Sequence, residues 1–263
     1  MRLTILGSAG SAPGPDSPCS GYLVEHDDFK LLLDLGPGAS MTLQRFVSPG
    51  DIDAAILSHR HSDHHADLTQ MWRLRMVTDS GPFALIGPSD LSETFTNTPE
   101  MFDFTSATDF AATDLIHATD FAPATDVAAT DVAAAARGAG RLGPLDVRLS
   151  RVVHGETECW ATRIGDALCY TADTEPCAAL DELADGAGVL LAEGCGSDDD
   201  GPMPGHLTAG DAARLSVRSG AKLLVLTHLR AWNDNAKLLA EAAAIATCPV
   251  ILAIPGLRIA CNA

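Results

Sequence analysis

Apolar residues crowd into short runs at 2–6, 21–24 and 30–34. The runs are too short for helices and are bounded by turn formers, which predicts strands. Between the first two lies Gly7-Ser8-Ala9-Gly10-Ser11-Ala12-Pro13-Gly14, read as a loop. A further apolar run, 53–57, ends at a cluster of histidines. Leu68, Met71, Trp72 and Arg75 then recur at helical spacing, which predicts a helix over 64–76 with Asp63 as its cap. A strand at 83–86 follows. In the second half, runs at 145–153, 159–164, 167–171, 189–192, 223–226 and 250–253 predict strands. Thr208-Ala209-Gly210-Asp211 has the form of a capping box, opening a helix to about 218 that stops at Gly220. A second helix is expected over 235–246. Strands alternating with helices in both halves place the chain in the α/β class, with sheets faced by helices.

Composition narrows the class. Hydrophobic residues make up 46% of the 263, with a mean hydropathy of +0.12, enough apolar material for a sizeable core. We expect one domain spanning 1–263. No apolar run approaches the roughly 18 residues of a membrane helix, and the N-terminal run is short of a secretory signal, so a cytoplasmic protein without a membrane partner is expected. Seven cysteines, none in a Cys-x-x-Cys pair, read as reduced and mostly buried thiols. The net charge is −18, and only Lys30, Lys222 and Lys237 are lysines. Such a surface repels phosphate backbones and disfavours long nucleic acid as a partner.

One segment stands apart. Ala-Thr-Asp recurs at 107–109, 112–114, 118–120, 124–126 and 129–131, a spacing that matches neither helix nor strand. Residues 79–136 contain no Lys or Arg. The reading is an expanded, solvated insertion at about 107–132, with a lid over a functional site as the alternative.

The chemistry concentrates in Ser58-His59-Arg60-His61-Ser62-Asp63-His64-His65. In an extended segment His59 and His61 face the same way and can grip one ion. A turn into a helix then sends Asp63 and His64 toward a second position beside it. Imidazole and carboxylate together suit Zn²⁺, and also Mn²⁺ or Fe²⁺.

A His-x-His-x-Asp-His segment after an apolar strand resembles the signature of the metallo-β-lactamase-fold hydrolases, and the resemblance extends over nearly the whole chain. Leu31-Leu32-Leu33-Asp34-Leu35-Gly36 is similar to the family's first motif, in which the Asp supports the metal ligands. His154, Asp173 and His228 stand where the family places its third histidine, its bridging aspartate and its last histidine. The resemblance implies a four-layer αββα sandwich and two divalent ions. One would be held by His59, His61, His154 and Asp173, the other by Asp63, His64, His228 and Asp173.

The Gly-rich opening loop, Asp173-Thr174-Glu175-Pro176 and Gly205-His206-Leu207-Thr208 resemble the phosphodiesterase branch, which includes ribonuclease Z and small cyclic-nucleotide phosphodiesterases. The resemblance implies that His206 assists phosphate chemistry, and we assign Asp63 to orienting water. The expected substrate is a small phosphodiester such as a cyclic nucleotide. The alternatives are tRNA 3′-end processing and lactone or thioester hydrolysis. A purely metal-binding module would not need all seven ligand positions. A homodimer is left open. His65 is read as structural, His26 as a surface residue, and His117, inside the repeat, as non-catalytic. Cys177 and Cys195 fall near site segments but are given no chemical part. Glu193 is either a support for the site or an ordinary strand-end carboxylate.

Overall fold

The computed structural model describes residues 1–91, 102–107 and 137–262. Nearly all of the Ala-Thr-Asp repeat, and His117 with it, lies outside the described residues.

Among the described residues, two seven-stranded sheets form the centre of the molecule. The first contains β1 (Arg2–Gly7), β3 (Gly21–His26), β4 (Phe29–Leu35), β5 (Ala54–Ile56), β6 (Phe83–Gly87), β7 (Phe102–Ser106) and β16 (Arg258–Ala260), in the order β16-β1-β3-β4-β5-β6-β7. The second contains β8 (Arg137–Leu142), β9 (Leu145–His154), β10 (Thr157–Ile164), β11 (Leu168–Tyr170), β12 (Val189–Glu193), β13 (Leu223–Thr227) and β15 (Val250–Leu252), in the order β15-β13-β12-β11-β10-β9-β8. A small ladder pairs β2 (Ala9–Gly10) with β14 (Leu229–Arg230) inside what the sequence presents as loops.

Period-two alternation divides the side chains of the first sheet between two layers. Leu3, Ile5, Leu31, Leu33 and Ile56 join a buried cluster shared with the second sheet. Leu6, Leu23, Leu32, Ala55 and Leu57 join another, beneath α1 (Ala39–Leu43) and α3 (Leu68–Val77), which contribute Leu43, Leu68 and Met71. The outer face of the second sheet is covered by α4 (Ala178–Ala184), α5 (Ala209–Ser219) and α6 (Asn235–Ile245), through Leu180, Leu215 and Leu238. The layers are therefore helix, sheet, sheet, helix, the expected αββα sandwich. Truncating a leucine at the sheet–sheet interface, such as fully buried Leu31, should cost roughly 2–5 kcal/mol through lost burial and the cavity left behind.

Part of each sheet is parallel, β4 to β7 in one and β11, β12, β13 and β15 in the other, and β9, which ends at His154, runs in the same direction as β11. Parallel strands place their C-terminal ends on one edge, and there the functional segments leave the sheets.

The expected helix over 64–76 is two helices, α2 (Ser62–His65) and α3, with a break at Ala66-Asp67. The Asp67 carboxylate accepts from Ser40 N at 2.9 Å and Ser40 Oγ at 2.6 Å, and its N–H donates to Leu35 O at 3.0 Å. These bonds fix the chain where a continuous helix would have run on. Asp63 does not cap α2; His61 occupies that position. The capping box of α5 is as expected, with Thr208 Oγ1 accepting from Asp211 N and Gly220 closing the helix in the left-handed region.

Candidate metal centre

The site begins with a bulge. Tyr22 pairs with Leu33 and Gly21 with Leu35, which leaves Asp34 as the extra residue, at φ 55. The bulge turns the Asp34 carboxylate into the interior, where it is fully buried. It accepts from Ser58 N, Ser58 Oγ and His64 Nδ1, each at 2.8 Å, and from Tyr170 OH at 2.6 Å. Tyr170 lies in the second sheet, so this one carboxylate ties the sheets together directly behind the histidines. Tyr22 OH and Thr227 Oγ1, 2.7 Å apart, make a second tie.

These supports fix the imidazole tautomers. His64 donates Nδ1–H to Asp34, His59 donates Nδ1–H to Ser58 Oγ at 3.0 Å, and His154 donates Nδ1–H to Gly205 O at 2.6 Å. Their Nε2 atoms face inward, where a metal ion can take them as ligands. His59 Nε2 and His154 Nε2 each lie 3.0 Å from His61 Nδ1. His59, His61 and His154 therefore form one donor cluster.

A second cluster lies beside it. Asp63 follows the turn after β5, and its Oδ2 accepts from Ser11 N at 2.8 Å and lies 3.2 Å from His228 Nε2. Asp63, His64 and His228 bring their ligand atoms within 4.8 Å of one another. Asp173 sits between the clusters. Its Oδ2 is 3.8 Å from His59 Nε2, 3.4 Å from His64 Nε2 and 3.2 Å from His228 Nε2. The structure thus brings together all seven residues singled out in the sequence as ligand candidates.

The donor set fits divalent metal. His64 Nε2 and Asp173 Oδ1 are buried without a hydrogen-bond partner, a costly state unless an ion takes the lone pairs. Among the described residues, the buried carboxylates of Asp34, Asp63, Asp173 and Glu193 form their ion pairs with histidines alone. Burial alone would lower the pKa of His64, but Asp173 and Asp34 outweigh it and raise the value to about 10. In His206 burial is outweighed by the neighbouring Cys195 and by the hydrogen bond to Glu193, again to about 10. The site is an excess of anions in want of cations, and protons are the weakest cations that serve.

His206 is placed before α5, and its Nδ1–H donates to Glu193 Oε2 at 2.8 Å. Glu193 Oε1 accepts from Thr174 N at 2.6 Å and Leu207 N at 3.1 Å. Glu193 is therefore a support for the site, not an ordinary strand-end carboxylate. Cys195, given no chemical part from the sequence, stands with Glu193, His206 and His228, their ligand atoms all within 4.8 Å of one another. Glu193 ends β12 and Cys195 follows it, but nothing in a single sequence says which partners meet a strand end. His65, as expected, is structural and donates Nε2–H to Arg60 O at 2.9 Å. A cleft of about 460 Å³ opens beside His206, walled by Glu175, Pro176, Met203, Pro204, Asp198 and Arg214.

Comparison with known proteins agrees with this geometry. Residues 30–229 match the beta-lactamase superfamily domain. An uncharacterised protein of Mycobacterium leprae is 33% identical over 97% of this chain and 87% of its own length. A ribonuclease Z of Myxococcus xanthus is 28% identical, covering 98% of this chain and 97% of its own. The crystal structure of the metallo-β-lactamase fold protein YhfI from Bacillus subtilis superposes with a TM-score of 0.78 at 26% identity, covering 98% of each chain. The two sheets, the converging histidines and aspartates, and a match across most of the sequence lead to one conclusion: the chain belongs to the beta-lactamase superfamily, as a metallo-hydrolase related to ribonuclease Z.

Proposed function

We propose that this protein is a phosphodiesterase that uses two divalent ions, Zn²⁺ by the chemistry of its donors, on a small phosphodiester such as a cyclic nucleotide. The observation that carries the reading is the His206–Glu193 pair, set between the donor clusters and the cleft. Ions bound by His59, His61, His154 and Asp173 and by Asp63, His64, His228 and Asp173 would supply Lewis acidity, lowering the pKa of water and neutralising phosphate oxygens. Asp63, fixed by Ser11 N–H, orients the attacking water and accepts a hydrogen bond from it. His206 delivers a proton to the departing alkoxide, and Glu193 holds the ring at the angle that transfer needs. Asp34 keeps His64 and, through Ser58, His59 from rotating. The cleft beside His206 receives the organic part of the substrate.

Processing of tRNA 3′ ends is the second reading, favoured by the ribonuclease Z relative. The net charge of −18 weighs against a long polyanion. A hydrolysis screen of metal-analysed protein against cyclic AMP, bis(p-nitrophenyl) phosphate, a precursor tRNA and a lactone tests the proposal. We expect turnover of the first two. Turnover of the lactone alone would refute the phosphodiesterase reading, and cleavage of the tRNA with no turnover of the cyclic nucleotide would replace it with the second.

A further inference from the structure

His228 has two faces. Nε2 meets Asp63 and Asp173, as described. Nδ1, on the other side of the ring, is buried without a hydrogen-bond partner in a residue only 2% exposed. The mechanism above does not use that nitrogen. Around it stand Glu193, Cys195 and His206, and the four ligand atoms of this group all lie within 4.8 Å of one another. Glu193 Oε2 is 3.5 Å from His228 Nδ1 and 2.8 Å from His206 Nδ1. The rings of His206 and His228 stack at 5.5 Å, only 15° from parallel. A tetrahedral zinc ion, with bonds of about 2.0–2.3 Å, holds its donors roughly 3.3–3.8 Å apart. The observed separations need small adjustments to reach that arrangement. Space at the nitrogen is kept by Gly10, where a Cβ would come within 2.6 Å of His228 Nδ1.

We propose that Glu193, Cys195, His206 and the Nδ1 face of His228 form a further cation site, behind the two-ion centre, that takes a borderline-soft divalent ion such as Zn²⁺, Co²⁺ or Cd²⁺. One thiolate, two imidazole nitrogens and one carboxylate oxygen select for such ions over Mg²⁺ or Ca²⁺, which take oxygen ligands. Binding sends the thiol proton and the Nδ1 protons of both histidines to solvent, and the His228 ring then joins two ions through its two nitrogens. Occupancy takes His206 Nδ1 from Glu193 and ties the ring to the ion. Excess zinc therefore inhibits the enzyme. That consequence rests on the proposed role of His206; the site itself does not.

The test needs no substrate. Full-length protein is titrated with Co²⁺ from one to several equivalents, with bound cobalt counted by elemental analysis. In wild type, uptake beyond two equivalents should bring thiolate-to-cobalt charge-transfer absorption in the near ultraviolet. Cys195→Ser should retain two ions and show no such absorption. An absorption that persists in Cys195→Ser, or none in wild type under excess cobalt, overturns the site. Should Cys195→Ser fail to unfold cooperatively, Glu193→Gln takes its place. It should weaken uptake of the third ion at least tenfold, and unchanged uptake would overturn the site equally.

Discussion

The His206 ring lines the cleft while its Nδ1–H is held by Glu193. Substitution by alanine should leave the metal content unchanged and lower turnover by roughly 10²–10⁴-fold, the range for loss of a positioned acid or base. The loss should be largest for a cyclic nucleotide, whose alkoxide needs a proton, and smaller for an aryl phosphodiester with a good leaving group. The measurement is kcat/KM on both substrates in wild type and variant; equal losses would mean that His206 holds the phosphate instead of protonating the leaving group. The site histidines also predict a pH dependence. In chelator-treated protein, His64 and His206 have folded pKa values of about 10 against an ordinary 6.5. A raised pKa means that the folded state binds the proton more tightly. The stability so gained is complete below about 6.5 and is lost as pH rises toward 10. Thermal unfolding of metal-free protein should therefore show a Tm that falls across this window, and metal loading should remove that slope by replacing the protons. A flat metal-free profile would contradict the electrostatic account of the site.

Helix α3 owes its position to a buried cation. The Arg75 guanidinium donates to Pro49 O and Ile52 O, both at 2.9 Å, and to Gly81 O at 2.8 Å, and its carbon lies 4.8 Å above the Phe83 ring. It gathers two loops and the start of β6 against the helix. Arg75→Ala should destabilise by about 3 kcal/mol, because several buried carbonyls lose their donor. Arg75→Lys should rescue little, since one ammonium cannot span the same fork; denaturant midpoints of the two variants check this. Sequence periodicity places Arg75 on the helix face with Leu68 and Met71, yet nothing local shows that it is an interior residue. The same limit governs the rest of the comparison. The His59–His64 segment was legible because its ligands are neighbours in the chain, and Thr208–Asp211 was legible because a capping box is local. The break at Asp67 depends on Ser40, and the role of Glu193 depends on Thr174 and His206; those pairings exist only after the sheets dock. The two-residue strands β2 and β14 leave no periodic signal at all.

For the molecule as a whole, the net charge of −18 and the four buried carboxylates of the site pull in the same direction, toward cations. Protein purified without chelator should carry about two tightly bound ions per chain by elemental analysis. His59→Ala should lose metal together with activity. A content near zero after reloading would refute the two-ion proposal. The Ala-Thr-Asp repeat lies between β7, at the edge of the first sheet, and β8, at the edge of the second. Deleting residues 108–132 should leave a cooperatively unfolding protein, because shortening a connection changes loop-closure entropy only slowly. If the deletion variant folds with an altered KM, the segment covers the cleft. Loss of cooperative unfolding would make it part of the core.

Asp34 joins two sheets, the first drawn from the N-terminal half of the chain apart from β16 and the second from the C-terminal half, and the donors divide in the same way: four lie between His59 and His64, and three between His154 and His228. This imposes a timetable on metal capture. At about 5–20 residues per second of synthesis, His228 follows His59 out of the ribosome by roughly 10–30 s. Until residue 173 has emerged, the four early donors, His59, His61, Asp63 and His64, lack both the aspartate proposed to join the two ions and the second sheet that orients them. The division predicts that a chain truncated before His228 binds divalent metal more weakly than the full chain, which metal analysis of the two would check.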